Sequence, residues 1–300
     1  MKVTLVMPAR NEAETIAGVI AEVREYFEGV VIVVDNGSTD STAQLARDAG
    51  ALVALEPRAG YGRACEAGIA AAATDTSLFV FMDADGSDCP GDIPALLLAI
   101  DEGADLALGE RKGAGVEKGS IAPVARFGNR LSGLLIDAIW GRRIHDLSPL
   151  KAVRADALRK LDMQQQTYGW TVEMLAKAAR DGLHIVEVEV GYRHRAGGQS
   201  KVSGNLGASI KAGYRILRTI GWVAASSFRR PSAPVLMGGA SGLALLAVLS
   251  AWLWVQAPSS SGVLVATWLV AWPVLLLTVG AGIVVSALSG RKRTDARAPY

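Results

Sequence analysis

The chain has 300 residues, enough for one large domain or two small ones, and 50% of its residues are hydrophobic. Its mean hydropathy of +0.27 is high for a soluble enzyme, and the apolar excess lies near the C-terminus, so we expect a soluble domain that carries a membrane segment. The formal net charge of +2 decides little, but the two cysteines, Cys65 and Cys89, are too few and too unpatterned for a disulfide framework or a zinc site.

The N-terminal half alternates short apolar runs with helical periodicity. Strands are predicted at residues 3–7, 30–34, 52–55 and 78–82. Helices are predicted between them, over residues 16–27, 41–49 and about 60–73. Asn11 with Glu14 predicts a capping box for the first helix, and the absence of a signal peptide before the first strand leads us to expect a cytoplasmic globular part. The alternation predicts an α/β fold, a mostly parallel, Rossmann-like sheet with helices on both faces.

The fourth strand carries the strongest chemical signal. Residues 78–82 are all apolar, which is typical of a strand buried on both faces, and Asp83, Asp85 and Gly86 follow. Ligands of open α/β sheets lie beyond the carboxyl ends of the strands. Two carboxylates there suit Mg²⁺ or Mn²⁺, which would hold the phosphates of a nucleotide. The alternative is a strand end with ordinary Asp-Gly turn chemistry.

The second half continues the alternation. Helices are predicted at residues 92–102, 123–140, 156–161 and from 169 onward. Strands are predicted at residues 104–108 and 185–190, the latter with the apolar–polar alternation of an edge strand. Residues 191–230 then contain eight cations and no acid, which fits phosphate ligands or an anionic membrane face. Nucleic acid is disfavoured because aromatic residues are sparse there and no recognition motif occurs.

The C-terminal third predicts membrane association. Apolar residues from Leu206 to Ile220 lie on one face of a basic amphipathic helix, which suits an anionic bilayer surface or packing on the globular domain. Two uncharged runs at 235–257 and 262–288 approach the ~20 residues that span a bilayer. Basic residues flank the pair, which predicts cytoplasmic ends and an external turn.

These boundaries divide the chain into four predicted parts. They are a cytoplasmic catalytic domain (1–203), a basic amphipathic juxtamembrane helix (204–230), a transmembrane helical hairpin (231–290) and a cytoplasmic basic tail (291–300).

Four motifs in order carry a resemblance. They are residues 7–12 (MPARNE), 35–40 (DNGSTD), 83–85 (DAD) and the segment 193–201. Together they resemble family 2 glycosyltransferases of the GT-A fold, in the branch of dolichyl-phosphate mannose synthase and bacterial polyprenyl-phosphate glycosyltransferases, over roughly residues 2–218. The resemblance implies metal-dependent, inverting transfer of a sugar from a UDP- or GDP-sugar to polyprenyl or dolichyl phosphate. With the predicted hairpin, we expect a multi-pass protein of the cell membrane, and a homo-oligomer is left open.

The resemblance also assigns a donor side. The positions implied to bind the nucleotide-sugar lie in a nucleoside pocket and in a loop that closes over the diphosphate: Pro8, Arg10, Glu12 and Asp35, and then Arg195, Ser200 and Lys201. Asp83 would lie at the ribose and metal edge, and Asp85 would be the main ligand of Mg²⁺ or Mn²⁺. For Glu12, the alternative is an acid of the first helical turn that the helix dipole favours.

On the acceptor side, Arg111 and Arg126 match positions that face the acceptor's phosphate, and Asp146 matches a residue near the acceptor and the sugar. A phosphate acceptor has a second pKa of about 6, so it is ionised near neutral pH and needs no strong base. A hydroxyl acceptor would need one, and Asp146 or Glu173 would be the candidates.

Three functions therefore compete. The first is transfer to polyprenyl phosphate by a membrane-anchored enzyme. The second keeps the fold but uses a hydroxyl acceptor, on a lipid or a small phosphorylated metabolite. The third is a non-catalytic membrane scaffold, which the intact Asp83–Asp85 pair and Lys201 count against. A lipid substrate explains why a cytosolic domain would carry its own hairpin, so we favour the first.

Overall fold

A seven-stranded sheet lies at the centre of the computed structural model, which describes residues 1–197 and 206–227. The strands are β1 (Val3–Ala9), β2 (Val30–Asp35), β3 (Leu52–Leu55), β4 (Leu78–Phe81), β5 (Leu106–Val116), β6 (Lys151–Arg154) and β7 (Ile185–Tyr192). The helices are α1 (Ile16–Tyr26), α2 (Thr42–Asp48), α3 (Tyr61–Ala71), α4 (Ile93–Asp101), α5 (Pro123–Trp140), α6 (Ala155–Leu161), α7 (Gly169–Arg180) and α8 (Leu206–Ser227). A single 3₁₀ turn, Pro90–Asp92, precedes α4.

The sheet is parallel except for one strand. Its order is β3-β2-β1-β4-β6-β5-β7, and only β6 runs antiparallel to its two neighbours, β4 and β5. The mostly parallel α/β fold is confirmed, and β7 lies at an edge as its alternating pattern indicated. The sequence analysis missed β6, because four residues are too few to show a period. The reversal brings the start of β6 to the sheet end where the parallel strands finish.

Alternate residues of the strands supply two separate cores, one on each face of the sheet. In β1, Val6 joins the core beneath α3 and α7, whereas Leu5 and Met7 join the core beneath α1 and α4. All four residues of β4 are buried, as the apolar run predicted. Phe81 on β4 meets Trp170 of α7 edge to face, with ring centroids 4.8 Å apart. Helices on both faces of the sheet are therefore confirmed.

The capping box predicted at Asn11 and Glu14 is wrong. Helix α1 begins at Ile16, and Asn11 has a left-handed backbone with φ of 51°. The side-chain oxygen of Asn11 instead accepts the N–H of Thr39 at 2.8 Å, and the N–H of Asn11 donates to Ser38 Oγ at 3.0 Å. Asn11 therefore links the loop after β1 to the loop after β2.

Helix α8 packs on the globular domain over its described side chains. Thr219, Ile220, Val223 and Ala224 are buried, and Ile220 and Val223 belong to the core beneath α7. Lys177 Nζ of α7 lies 5.2 Å from the ring centroid of Trp222. Of the two alternatives for this helix, packing on the domain holds here, and contact with a bilayer stays a prediction.

No helix within residues 1–197 and 206–227 is long and apolar enough to cross a membrane. The predicted hairpin (231–290) and basic tail (291–300) lie outside the described residues and remain predictions.

A buried ion pair fixes the loop between α6 and α7. Glu173 is fully buried, and its carboxylate accepts the N–H groups of Gln164, at 3.0 Å, and Gln165, at 2.7 Å. Lys177, one turn further along α7, lies 2.8 Å from Glu173 Oε1. The carboxylate of Glu173 is thus occupied in holding this loop, so Glu173 does not fit the role of a base for an acceptor hydroxyl.

We expect Glu173→Ala to destabilise the domain strongly. It would leave the Lys177 ammonium buried without its partner and strip two loop N–H groups of their acceptor, at a cost of about 3–5 kcal/mol. For a domain of this size that lowers the melting temperature by on the order of 10 °C, measurable by thermal unfolding. The control is Asp156→Ala, which removes an exposed pair with Lys160 at 3.8 Å and should cost less than about 1 kcal/mol. Equal melting temperatures for the two variants would contradict the structural role of Glu173.

Candidate active site

Polar loops meet at the carboxyl end of the sheet. Asp35, at the end of β2, accepts the N–H of Ser38 at 2.8 Å. The amide nitrogen of Asn36 donates to the carbonyls of Glu56 and Arg58, and its oxygen accepts the N–H of Gly60 at 2.8 Å. Asn36 therefore joins the loop after β2 to the loop after β3. Sequence reasoning quoted Asn36 within a motif but gave it no role, since its partners lie 20 or more residues away.

The start of α3 is held against the loop that Glu173 fixes. A Cβ on Gly62 would lie 2.0 Å from the carbonyl oxygen of Gln165, so only glycine fits there. The N–H of Arg63 donates to the carbonyl of Gln166 at 3.1 Å, and its Nε donates to Gln166 Oε1 at 2.9 Å. One side of the site is therefore braced by direct contacts between α3 and this loop.

The donor-side residues predicted from the sequence are partly brought together. Pro8 is half-buried beside Val34 in the sheet, and Arg10 is exposed just beyond β1. Glu12 is buried, and its Oε1 lies 2.9 Å from Arg195 Nη2, across 183 residues of sequence. Glu12 is therefore not an acid of the first turn of α1. Ser200 and Lys201 lie outside the described residues, so their predicted roles stay predictions.

Asp85 is engaged by its neighbours. Its Oδ1 accepts both the N–H of Ser87, at 2.9 Å, and the hydroxyl of Ser87, at 2.5 Å. Its Oδ2 lies 2.7 Å from Arg195 Nη1. One guanidinium thus bridges Asp85 and Glu12, the two acids that the sequence placed on the metal and nucleoside sides.

Asp83 has a different environment. Its carboxylate makes no hydrogen bond or ion pair with any residue in the described part of the chain, although its N–H donates to Asp88 Oδ2 at 3.0 Å. Burial and the nearby charge of Asp85 raise the pKa of Asp83 to about 7. Burial, helped by Asp83, also raises the pKa of Asp88 above its usual value. Three carboxyl groups therefore crowd one strand end, and Asp88 was not singled out from the sequence.

A buried lysine lies beneath these acids. Lys151, the first residue of β6, is fully buried, with Nζ 3.3 Å from Thr171 Oγ1 and 5.9 Å from the centroid of Trp170. Burial lowers the pKa of Lys151 to about 8, against the opposing pull of Cys65 and Asp83. Sequence reasoning missed Lys151, and the only signal was a lysine between apolar residues, Leu150 and Ala152, in a strand too short to recognise.

Arg111 and Asp146 form a two-point ion pair. Arg111 Nε lies 2.7 Å from Asp146 Oδ2, and Arg111 Nη2 lies 2.8 Å from Oδ1. Asn129 of α5 and the N–H of Leu147 also donate to Oδ1, at 2.5 and 2.8 Å. Burial alone would raise the pKa of Asp146, but the hydrogen bond and charge of Arg111 outweigh it and leave that pKa below its usual value. The prediction that joined both residues at the acceptor side named no contact between them.

The other predicted acceptor-side residue stands apart. Arg126 is exposed and makes no ion pair with any residue that the structure describes, although it lies one turn before Asn129 on α5. Arg111 is largely buried and its guanidinium covers the ring of Tyr192, 4.7 Å from the centroid. The structure thus joins Arg111 to Asp146 and leaves Arg126 available to solvent.

The oxygen ligands available at the site fit a divalent cation. Asp83 and Asp85 offer hard oxygen ligands, and the carboxylate of Asp83 has no other partner among the described residues. Arg195 holds one oxygen of Asp85, and its buried Nε–H has no acceptor in the same part of the chain. Within residues 1–197 and 206–227, no set of three or more His, Cys, Asp and Glu side chains is arranged to hold a metal. A cation here would thus depend on these two acids and on its substrate.

Residues 4–162 match the sequence pattern of the family described as Glycosyl transferase family 2. The chain is a family 2 glycosyltransferase. It is 40% identical over 211 residues to an uncharacterized glycosyltransferase of Mycobacterium tuberculosis, covering 70% of this chain and 94% of that one. It is 33% identical to undecaprenyl-phosphate mannosyltransferase of Micrococcus luteus, over 69% of this chain and 89% of that one. Polyprenol monophosphomannose synthase of Mycolicibacterium smegmatis is 31% identical, over 67% and 81%.

The fold of this glycosyltransferase is similar to solved structures. One is glucosyl-3-phosphoglycerate synthase from Mycobacterium tuberculosis in complex with Mn²⁺, UDP-glucose and phosphoglyceric acid. The TM-score is 0.59 at 25% identity, over 73% of this chain and 80% of that chain. The GT-A-like fold and the glycosyltransferase activity predicted from the sequence are therefore confirmed.

We expect Asp146→Ala to destabilise this glycosyltransferase by about 3–5 kcal/mol, because it leaves the Arg111 charge buried and unpaired. The folded-state pKa of Asp146 is depressed, so its stabilisation is complete above the unfolded pKa of about 3.9 and is lost as the pH falls through the folded value. The difference between variant and wild type in denaturant titrations should therefore narrow in acid. The control is Glu110→Ala, which loosens only a 3.8 Å contact with Lys112. A difference independent of pH would exclude the ion pair as its cause.

Proposed function

We propose that this family 2 glycosyltransferase transfers a hexose from a UDP- or GDP-sugar to polyprenyl phosphate at the cytoplasmic face of the cell membrane, with inversion. The predicted hairpin (231–290) would anchor it there. Support comes from the polyprenyl-phosphate mannosyltransferases, which are 31–33% identical to most of the catalytic domain. A lipid substrate also gives a reason for the two apolar runs that follow that domain.

The observation that carries this acceptor class is the state of the candidate bases. Asp146 is tied to Arg111 and Asn129 and has a depressed pKa, and Glu173 is buried in the loop it supports. Neither acid named from the sequence is therefore suited to take a proton from a hydroxyl. A phosphate monoester needs no such base, since it is largely dianionic above its second pKa of about 6.

The donor side would use the acids and cations already joined there. Asp83 and Asp85 would hold Mg²⁺ or Mn²⁺, which when bound neutralises charge that develops on the departing diphosphate. The Nε–H of Arg195 has no acceptor among the described residues and is a ready donor for a phosphate oxygen, and Ser200 and Lys201 are proposed to follow on the same loop. Pro8, Arg10, Glu12 and Asp35 would line the nucleoside pocket.

On the acceptor side we assign Arg126 the first contact with the lipid phosphate, because it is exposed and pairs with none of the described acids. Arg111 has both Nε and Nη2 committed to Asp146, so only Nη1 is left for an acceptor. Asp146 would act by fixing the orientation of Arg111.

A hydroxyl acceptor is the second candidate. It is favoured by the similarity to glucosyl-3-phosphoglycerate synthase, whose structure holds phosphoglyceric acid beside Mn²⁺ and UDP-glucose. One experiment separates the two candidates. Membranes that contain the full chain are incubated with radiolabelled UDP-sugars or GDP-sugars, and polyprenyl phosphate, polyprenol or 3-phosphoglycerate is added as the acceptor. We expect label in the organic extract only with polyprenyl phosphate. A labelled water-soluble product from 3-phosphoglycerate would establish the second candidate instead.

For the metal, we expect Asp85→Asn to reduce transfer at least about 100-fold and to weaken Mn²⁺ binding, because it removes a ligand charge. Its melting temperature should also fall, because Asp85 is buried against Arg195 and Ser87, so both measurements are made at a temperature where the variant is folded. Asp101→Asn, an exposed acid at the end of α4, is the control and should leave both properties unchanged. Mn²⁺ titration in the presence of the nucleoside diphosphate, followed by electron paramagnetic resonance, measures binding without turnover. Full activity in excess chelator would defeat the metal-dependent mechanism.

For the acceptor, we expect Arg126→Ala to raise the apparent KM for polyprenyl phosphate about 10–100-fold, the loss of one charge-assisted contact of about 1.5–3 kcal/mol. The KM for the nucleotide-sugar should be unchanged. Arg159→Ala removes an exposed cation of α6, at the opposite end of the sheet, and should alter neither constant. A selective rise in the donor KM would move Arg126 to the donor side.

A further inference from the structure

Helix α5 exposes a continuous apolar stripe. Val124, Phe127 and Leu134 are 53%, 69% and 67% exposed, which is unusual for residues of this size on one helix. Half-buried Leu131 and exposed Ala138 continue the same line. The spacing of three, four, three and four residues puts all five on one helix face, over about 21 Å of helix length. These five residues are called the α5 stripe.

The domain prevents α5 from turning this stripe inward. Ser132, Gly133 and Ile136 form its buried face, on the side opposite the stripe. A Cβ on Gly133 would lie 2.0 Å from the carbonyl oxygen of Ile144, so the helix backbone touches the neighbouring loop directly. Asn129 fixes the rotation of the helix further through its 2.5 Å hydrogen bond to Asp146. The stripe therefore faces outward as a consequence of how the helix is seated.

The surroundings of the stripe are cationic. Residues 118–143 contain five basic residues and one acid, Asp137. Arg126, Arg130 and Arg143 are exposed, and none of them forms an ion pair with a residue in the part of the chain that the structure describes. Apolar side chains beside unpaired cations are complementary to a surface with anionic headgroups above a hydrocarbon layer.

We propose that the α5 stripe docks the catalytic domain on an anionic phospholipid bilayer, as a contact separate from the predicted hairpin. Phe127 and Leu134 enter the boundary between headgroups and acyl chains, and Arg130 pairs with the phosphates of bilayer lipids, which leaves Arg126 for the acceptor. A second copy of the chain is a poorer occupant, because pairing two stripes would bring the arginines of both helices together. This docking rests on the proposed membrane location and not on the proposed reaction.

Docking through α5 would also orient the active site. Asn129 lies between Arg126 and Arg130 on this helix and donates to Asp146, the partner of Arg111. The acceptor-side ion pair is therefore attached to the helix that meets the lipid. A phosphate headgroup in the bilayer plane then needs to travel little to reach it.

The test measures membrane depth directly. Single cysteines replace Phe127, Leu134 or, as the matched control, Leu98, which is 57% exposed on α4 at the other face of the sheet. Cys89 is changed to serine, and Cys65 is fully buried, so the introduced thiol alone carries the spin label. The full chain is placed in nanodiscs of phosphatidylcholine with or without phosphatidylglycerol, and label accessibility to O₂ and to a nickel chelate is compared.

We expect labels at 127 and 134 to favour O₂ over the nickel chelate, more strongly with phosphatidylglycerol, and the label at 98 to favour the chelate. Because all three labels share the same tether, the hairpin alone cannot produce this difference. Chelate access at all three positions would overturn the proposal. So would exclusion of both reagents at 127 and 134, which indicates a protein contact, or spin–spin broadening there, which indicates a second copy.

An activity measurement separates this docking from the proposed reaction. The double variant Phe127→Ser and Leu134→Ser should raise the KM for long-chain polyprenyl phosphate in bilayers about tenfold or more. The KM for a short, water-soluble isoprenyl phosphate should be unchanged. Equal effects on both acceptors would contradict docking, whereas lipid contact in an enzyme inactive on either acceptor would contradict the proposed reaction alone.

Discussion

Compensation of charge at the carboxyl end of the sheet is the constraint on which the site depends. Asp83, Asp85 and Asp88 follow a strand whose four residues are all buried, so their carboxyl groups lie where water is scarce. The charge of Asp85 raises the pKa of Asp83, and the charges of Asp83 and Asp85 raise the pKa of Asp88. The positive charges of Lys151, Arg195 and Arg111 each lower the pKa of Asp83. The reversed strand β6 is what brings Lys151 to this end, so the topology of the sheet and the electrostatics of the site have one origin.

Arg195 controls which charged groups can bind beside Asp83 and Asp85. It joins Asp85 to Glu12 and so closes the gap between the loops that follow β1 and β4. A divalent cation held by Asp83 and Asp85 would compensate the same negative charge as the guanidinium of Arg195. Both cations can be accommodated together only if substrate phosphate supplies further negative charge. In the proposed metal-dependent reaction, this competition would make the cation bind together with the nucleotide rather than alone.

Much of the fold was readable because its signals are local. The apolar run of β4, the alternation in β7 and the periodicity of α5 each lie within a few neighbouring residues, and the structure confirms them. Asp83 and Asp85 were singled out for the same reason. The pairings of Arg111 with Asp146 and of Arg195 with Glu12 span 35 and 183 residues, and nothing local in the sequence encodes them. The capping box at Asn11 was predicted wrongly because an asparagine that bridges two loops has the same local sequence pattern as a helix cap.

The bracing of α3 through Gly62 and Arg63 has a consequence for affinity. This wall rests on Gln165 and Gln166, in the loop that the buried Glu173 holds through the N–H groups of Gln164 and Gln165. Asn36 connects the wall to the loop after β2. Its conformational entropy is lost once, when the chain folds, and not again each time a nucleotide arrives. In the proposed reaction, Arg195 on the other wall would exchange its pairs with Glu12 and Asp85 for substrate phosphate when the donor binds. We therefore expect selectivity for the donor to depend on the rigid wall, and the rate of donor exchange to depend on the side chain of Arg195.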